Sequence, residues 1–316
     1  MSGSQNPPLE TESRGVFAVV RTRPKSLTDA QFAYRMIVPL LAAMLALYVF
    51  PIGYSFWLSL NRINLTIPGW HFVGLKNYAT ALSDEAVQHA VEVTVEYTLA
   101  VTVITLLVSL GAALVLNERF RGRGLVTALI VMPWGLSTYM AAVIWRHMVS
   151  QEYGLLNGIL YSLKLIHSYI AFISPSSALL VVSIAHSWQL APLGIYFFLA
   201  SLSVIPSDLY RIARLDGLGV IGRFRYVTWP YIRTAVLIVM VIVSVEAARA
   251  FDVIYFLTQG GPGDATTTLT WQIYQTTFVA FNIGYGAAMS YILVVWIFVV
   301  TTAYFMLLYR KRRASQ

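Results

Sequence analysis

The sequence predicts an all-α membrane protein with six transmembrane helices and both termini in the cytosol. Its 316 residues are 58% hydrophobic and 11% charged, whereas soluble domains are about 25% charged. Six apolar runs are separated by short charged clusters, and each run has about the ~20 residues that a helix needs to cross a bilayer. The basic residues lie between alternate runs, an asymmetry that is typical of multi-pass membrane proteins.

The elements follow one another in a simple order. Residues 1–30 are polar and proline-containing and lack the apolar core of a secretory signal, so we expect a disordered cytosolic tail. The transmembrane domain is expected over residues 31–313. Its apolar runs lie at about 32–60, 92–116, 125–148, 178–203, 234–258 and 284–309.

The distribution of basic residues sets the expected orientation. If the first run points outward, the cytosolic segments hold 17 Lys and Arg residues and the outer loops hold four, namely Arg62, Lys76, Arg146 and Lys164. The remaining one, Arg249, lies inside the fifth run. An excess of positive charge marks the cytosolic side, so both termini are expected there. The same bias explains the net charge of +8 without nucleic acid as a partner.

Several chemistries are excluded by what the sequence lacks. It contains no cysteine, and its five histidines are too far apart to form a local ligand pair, so no metal site is expected. No G-x-x-x-x-G-K-[ST] phosphate loop occurs, and none of the four lysines follows a glycine. The chain is therefore expected not to be an enzyme and to bind no cofactor itself.

Residues 206–230 form a long loop between the fourth and fifth runs. Ser207 or Asp208 has a side chain that can cap the start of a helix, and Gly217 is a natural helix stop. Apolar residues recur between them: Leu209, Ile212, Ala213 and Leu215. The pattern predicts a short amphipathic helix.

The same loop carries a family signature. Seven positions match the pattern P-x-x-L-x-E-A-A-x-x-D-G-A with F and P at fixed offsets: Pro206, Leu209, Ala213, Asp216, Gly217, Phe224 and Pro230. The loop thereby resembles that of bacterial ATP-binding-cassette (ABC) importer permeases. Arg211 stands where that family usually has Glu, and Ile212 and Leu218 stand where it has Ala.

Two further segments resemble the carbohydrate-type branch of that family, which includes the maltose and glycerol-phosphate permeases. They are F-V-G-L-K-N-Y at 72–78 and F-D-V-I-Y-F-L-T-Q-G-G-P-G at 251–263. Together with the loop, the resemblance covers the chain from about residue 30 to its end.

The resemblance implies a fold, a location and partners. It implies a type I ABC importer permease fold, surrounded by the lipid of a bacterial inner membrane. The expected partners are a second permease subunit, a dimer of ATPase subunits that bind ATP and Mg, and an extracytoplasmic binding protein that delivers a sugar or oligosaccharide. In this family the loop helix docks on the ATPase, so we name residues 206–230 the coupling loop. Coupling contacts are expected at Leu209, Arg211, Ile212, Ala213, Asp216, Gly217 and Phe224.

Polar residues within the fourth and fifth runs are candidates for a substrate pathway. Charged residues inside a membrane-spanning run usually face a cavity or a partner, because each costs about 2.5–3.5 kcal/mol to insert. Glu246, Arg249 and Asp252 follow a three-residue spacing, which places them within about 120° on one face of a helix. The fourth run carries polar and aromatic residues at similar depth: His186, Trp188, Gln189 and Tyr196. We expect both sets to line the pathway, as these two segments do in the resembling family.

Alternatives stay open for the charged residues and for the solute. Glu246 and Arg249 can neutralise each other and only lock the helix bundle. A free Arg249 guanidinium can bind phosphate, carboxylate or sulfonate, so an anionic sugar derivative is the second substrate hypothesis. A secondary transporter or a channel domain is the alternative class, although secondary transporters usually have two homologous halves.

Overall fold

The computed structural model describes residues 28–118 and 120–313. The chain divides into two compact units, one ending at Gly53 and the other starting at Tyr54. The described part of the first unit is helical, and Thr28 begins it with a reciprocal capping box to Gln31. The predicted disordered tail, residues 1–30, lies outside the described residues except for 28–30, which cap and begin this helix.

Helices dominate the chain, and a β-hairpin is inserted between them. The α-helices are, in order, α1 (Asp29–Met44), α2 (Phe50–Ser59), α3 (Lys76–Ser83), α4 (Glu85–Asn117), α5 (Arg123–Val131), α6 (Thr138–Met148), α7 (Leu155–Ser162), α8 (Ala178–Ser203), α9 (Ser207–Leu215), α10 (Val220–Arg223), α11 (Trp229–Ala248), α12 (Asp252–Leu257), α13 (Leu269–Tyr274) and α14 (Ile283–Arg313). The antiparallel strands are β1 (Asn61–Asn64) and β2 (Ile67–Phe72). Short π-helical turns lie at Leu45–Val49, Phe224–Thr228 and Gln275–Val279, and a 3-10 turn lies at Met132–Gly135.

Within the described residues, five helical stretches are long and apolar enough to cross a membrane. They are Gln31–Ser59, Glu85–Asn117, Ala178–Ser203, Val220–Ala248 and Ile283–Tyr304. The third predicted run forms a sixth segment only as a bent pair, in which α5 with its 3-10 turn meets α6 at 106°. Pro133 lies in that turn and Ser137 caps α6. Because proline has no N–H for the helical bond, the run bends there, so the third predicted segment is a bent pair of helices.

The centre of the second unit is formed by α4, α8 and α11, which pack side by side. Their largest buried side chains include Tyr97, Val101, Val182, Ile195, Phe198, Ile232 and Val239. Hydroxyl groups bridge these helices: the hydroxyls of Thr102 and Ser244 are 3.1 Å apart, and Ser109 donates to the Ala191 carbonyl over 2.8 Å. Such polar contacts between small side chains are typical of helices packed in a membrane.

The hairpin closes one end of the bundle. Its first strand forms a backbone bridge from Asn64 to Asn282, just before α14. The Asn77 amide of α3 donates to the carbonyls of Ser59 at 2.8 Å and Asn61 at 3.0 Å. The hairpin is therefore tied to α2, α3 and the start of α14.

Candidate functional site

The coupling loop contains the predicted short helix, α9. Gly217 has φ +77°, and its N–H donates to the Arg214 carbonyl over 3.1 Å while the Leu218 N–H donates to the Ala213 carbonyl over 2.9 Å. This is the bond pattern of a glycine-terminated helix. Residues with a Cβ rarely adopt such a conformation, so the predicted stop at Gly217 is confirmed.

The start of α9 differs from the prediction. Its N-cap is Pro206, and no side chain caps the first turn, so the expected capping by Ser207 or Asp208 is wrong. Asp208 instead forms an ion pair with Arg211 at 3.1 Å, and both side chains are largely exposed. An exposed pair of this kind contributes only about 0–1 kcal/mol.

The apolar residues of the coupling loop fall into two sets. Leu209 and Ala213 pack into the core of the chain. The outward set faces away from the core and consists of Ile212, Leu215, Val220 and Ile221. Leu215 is 83% exposed and Ile221 is 84% exposed. One side of this loop is thus anchored, and the other presents an apolar surface.

Aromatic side chains hold the loop against the bundle. Phe224 packs on the core, with its ring centroid 6.4 Å from that of Trp229. The hydroxyls of Tyr210 and Thr228 lie 2.9 Å apart. Asp216 remains exposed beside the helix stop. Phe224 therefore supports the loop from within, whereas the outward set stays exposed.

The fifth transmembrane helix ends earlier than predicted. The sequence indicated one run to residue 258, but α11 ends at Ala248 and α12 begins at Asp252. Neither proline nor glycine lies in the residues between them. The Ala250 carbonyl accepts a hydrogen bond from the Thr270 hydroxyl at 2.7 Å. This contact satisfies a carbonyl that a continuous helix would pair internally.

Because of this break, the charged residues do not share one face of one helix, and that expectation is wrong. Glu246 is in the last turn of α11, Arg249 follows that helix, and Asp252 starts α12. Arg249 Nη2 lies 2.6 and 2.7 Å from the two carboxylate oxygens of Glu246. The Arg249 side chain is 61% exposed and that of Glu246 is 38% exposed. The ion-pair alternative therefore describes the observed geometry, and the pair faces an open surface of this chain.

His186 and Gln189 of α8 are engaged by neighbours within the chain. Nδ1 of His186 lies 2.7 Å from the Tyr97 hydroxyl in a buried contact. Gln189 Nε2 donates to the Leu136 carbonyl at 3.1 Å and to the Thr138 hydroxyl at 3.3 Å, so it bridges the break of the third segment. Among the described residues, neither side chain hydrogen-bonds to the charged residues near the end of α11.

The two aromatic candidates of α8 lie in different surroundings. Trp188 meets Trp145 edge to face, with ring centroids 6.2 Å apart. Tyr196 lies 6.5 Å from Trp134 and is exposed. Of the four candidates on this helix, Tyr196 is the one with a largely exposed side chain, and a role in the pathway stays a prediction for all four.

Sequence reasoning missed an aromatic cluster beside the break. Tyr274 lies at its centre, with ring centroids 5.0 Å from Phe251, 5.5 Å from Tyr255 and 5.7 Å from Trp271. A side-chain hydrogen bond to Tyr255 raises the pKa of the Tyr274 phenol above its ordinary value. The three-residue spacing of Trp271 and Tyr274 places them on one side of a helix. This spacing is the sequence feature that could have indicated the cluster.

The loop between α12 and α13 fixes this cluster. The Thr266 hydroxyl donates to Thr258 Oγ1 at 2.8 Å, and the first N–H of α13 donates to the Thr94 hydroxyl of α4 at 2.8 Å. Gly260 has φ +83°, and a Cβ there would collide with the Trp271 indole. The position of the indole therefore depends on this glycine.

The membrane segments and the coupling loop together define a membrane subunit of a transport system. Residues 105–314 match the family described as binding-protein-dependent transport system inner membrane component. The chain belongs to this family and is a multi-pass protein of the inner membrane. Family membership rules out the secondary-transporter and channel alternatives.

Relatives align with this chain over most of their length. The trehalose/maltose transport system permease protein MalF of Thermococcus litoralis is 35% identical over 283 residues, which cover 87% of this chain and 93% of the relative. The sn-glycerol-3-phosphate transport system permease protein UgpA of Agrobacterium fabrum is 30% identical, covering 86% and 92%. A bacterial ABC transporter that imports the acidic polysaccharide alginate has a chain of the same fold, with a TM-score of 0.74, 19% identity, and 88% and 95% coverage.

Proposed function

We propose that this chain is the permease subunit of an ABC importer for a sugar or oligosaccharide, delivered by an extracytoplasmic binding protein. It pairs with a second permease subunit, and a dimer of ATPase subunits binds ATP and Mg and docks on the coupling loop. Both termini lie in the cytosol. The family and the similarity to a trehalose/maltose permease protein support this assignment.

The aromatic cluster is the observation that carries the sugar hypothesis. Phe251, Tyr255, Trp271 and Tyr274 lie beside the break, next in sequence to the exposed Glu246 and Arg249 pair. Aromatic walls with a few placed polar groups suit a sugar ring, because its C–H face stacks on aromatic carbon and its hydroxyls need hydrogen-bond partners. An ion pair can supply both donors and acceptors without selecting for a charged solute.

An anionic sugar derivative is the second candidate. The Arg249 guanidinium is 61% exposed, and a 30% identical relative is a glycerol-3-phosphate permease protein. In this chain, however, Glu246 already neutralises Arg249 at 2.6 Å. A neutral solute therefore fits the observed pairing better.

Uptake by the assembled transporter tests the proposal. The complex is reconstituted in proteoliposomes with its binding protein, and competition by neutral disaccharides is compared with competition by sugar phosphates. The double variant Glu246→Gln with Arg249→Gln removes both charges and leaves no unpaired partner. We expect normal assembly with solute-stimulated turnover reduced roughly tenfold, equivalent to about 1.4 kcal/mol.

A matched variant controls for the loss of any exposed ion pair. Asp208→Asn with Arg211→Gln removes the other pair of the same three-residue spacing. Because Arg211 is an expected coupling contact, the two double variants are compared by the solute concentration for half-maximal uptake, which only the loss of the Glu246 and Arg249 pair should change. Unchanged uptake kinetics in the Glu246 and Arg249 variant would show that this pair is structural. Competition by sugar phosphates alone would favour the second candidate.

The division of labour between subunits has its own test. The sequence contains no phosphate-binding loop, so the purified chain is expected to hydrolyse no ATP until ATPase subunits are added. Hydrolysis by the pure chain, free of contaminating ATPases, would contradict the proposal.

A further inference from the structure

A polar cleft lies at the hairpin end of the bundle. It has a volume of about 400 Å³ and lies between β1, α3 and the start of α14. The hairpin follows the first transmembrane segment, whereas the coupling loop follows the fourth. If the bent pair crosses the membrane once, as the six-segment prediction has it, the cleft is on the side of the membrane opposite the coupling loop. It is separate from the aromatic cluster and the charged residues near α11.

The cleft carries two cations that the chain leaves unpaired. The side chains of Arg62 and Lys76 line it and are exposed, and within the described residues neither makes an ion pair or a side-chain hydrogen bond. The lining carboxylate, Asp84, is already occupied: it accepts from the Tyr285 hydroxyl at 2.8 Å and from the Ala86 N–H at 3.0 Å. The cleft therefore offers positive charge to an external group.

These cations are concentrated where basic residues are scarce. The outer loops contain four basic residues, and two of them, Arg62 and Lys76, line this one cleft. Positive charge is disfavoured in the outer loops of inner-membrane proteins, so membrane topology does not explain why Arg62 and Lys76 lie together. Binding of an anionic group in the cleft would explain it.

The hairpin has an aromatic face and a basic face. Arg62 pairs with His71 across the strands, so both side chains point to the same face, and Trp70 points to the other. The Trp70 ring lies 6.4 Å from Trp57, which stacks on Tyr54 at 5.8 Å. Trp and Tyr collect at the boundary between lipid and water. The aromatic face therefore marks the lipid boundary, and the basic face is turned towards water.

We propose that Arg62 and Lys76 form a docking site for an acidic side chain on the extracytoplasmic binding protein. This inference rests on the proposed function, since it requires such a protein to dock on the outer side. Arginine and lysine bind carboxylates through charge-assisted hydrogen bonds, and complementary charge speeds encounter and fixes the docking orientation. A lipid phosphate is expected near the aromatic face of the hairpin, whereas Arg62 lies on the opposite face.

The test measures binding-protein affinity for the complete transporter. Wild type and the double reversal Arg62→Glu with Lys76→Glu are placed in phosphatidylcholine nanodiscs, and binding of the cognate binding protein is followed at low and high salt. The reversal is expected to raise Kd roughly tenfold at low salt, mostly through a slower association rate, and to invert the salt dependence, because salt then screens a repulsion. Lys164→Glu, an exposed outer-loop reversal outside the cleft, should leave Kd unchanged.

A neutral double variant and a lipid comparison distinguish the possible outcomes. Arg62→Gln with Lys76→Gln adds no new charge, should raise Kd by a smaller factor, and serves where the reversal does not assemble. An unchanged Kd in both variants overturns the docking site. If Kd is unchanged and only stabilisation by phosphatidylglycerol is lost, the cleft binds lipid and the inference is also wrong. If wild type binds no binding protein, the proposed function itself fails.

Discussion

The ends of α9 and α11 are two helix stops built in different ways. At the end of α9, Gly217 and Leu218 donate to carbonyls three and five residues earlier. At the end of α11, the Ala250 carbonyl is held by Thr270, 20 positions further along, and Phe251 packs on Tyr274. We call the end of α9 the local stop, because neighbouring residues form its hydrogen bonds; it does not depend on contacts elsewhere, which suits a helix that moves as a rigid lever. We call the end of α11 the non-local stop, because Thr270 bonds the backbone there; its geometry can change when a ligand or partner contacts the distant residues.

The largest effect is expected where the local stop is broken. Gly217→Val places a β-branched residue at φ +77°, which costs about 1–2 kcal/mol and changes the exit direction of the coupling loop. Solute uptake and solute-stimulated ATP hydrolysis by the reconstituted complex are expected to fall at least about tenfold. Assembly should persist, because Leu209 and Ala213 still anchor the helix.

A second glycine in the same loop provides the control. Gly219 has φ −65° and open space at its Cβ position, so Gly219→Val should be tolerated by the backbone. Equal losses in both variants would mean that side-chain bulk, and not the left-handed stop, causes the defect.

A smaller effect is expected at the non-local stop. Gly260→Ala puts a methyl group against the Trp271 indole, and overpacking of this kind costs about 1–3 kcal/mol. The shifted indole should raise the solute concentration for half-maximal uptake by about fivefold, while basal ATP hydrolysis is unchanged.

Gly261→Ala is the matched control for this position. Its nearest neighbour would be the Thr258 carbonyl oxygen at 3.5 Å, an ordinary contact. Wild-type solute affinity in Gly260→Ala would show that the aromatic cluster is packing and not part of the pathway.

The smallest effect on transport is expected at the break of the third segment, which combines both kinds of stop. Pro133 interrupts the helix locally, and Gln189 holds the Leu136 carbonyl from α8. Gln189→Ala leaves that carbonyl unpaired, which should lower the free energy of unfolding by about 1–3 kcal/mol. Uptake should change by less than about twofold, because Gln189 faces the break.

An exposed bond of the same kind controls for this loss. Gln88 donates to the Leu82 carbonyl at 2.8 Å on the surface, where water can replace it, so Gln88→Ala should leave thermal stability unchanged. A collapse of solute affinity in Gln189→Ala, with stability intact, would instead support the predicted place of Gln189 in the substrate pathway.

The same contrast explains which parts of the structure were predictable. The coupling loop followed from its sequence because Gly217 and the apolar spacing act within one helix. Six segments followed from apolar length alone. Pro133 signalled a bend in the third run, although its 106° angle depends on packing.

The candidate site was less predictable, because its geometry depends on contacts between distant residues. The residues after Ala248 include no proline or glycine that would signal the break. Helical periodicity therefore predicted, wrongly, that Glu246, Arg249 and Asp252 share one face. The hydroxyl that bonds the Ala250 carbonyl after the helix belongs to Thr270. Similarly, the polar character of His186 and Gln189 was visible, but their partners Tyr97 and Leu136 lie elsewhere in the chain.

The outward set of the coupling loop has a consequence for the supply of subunits. Ile212, Leu215, Val220 and Ile221 stay exposed until a partner covers them, and each Å² of apolar surface buried contributes about 25 cal/mol. A partner that binds only the folded form stabilises it by mass action. Chains made in excess of that partner keep a surface open to self-association and to proteases. In the proposed transporter, the number of working complexes in a cell is therefore limited by whichever subunit is scarcest.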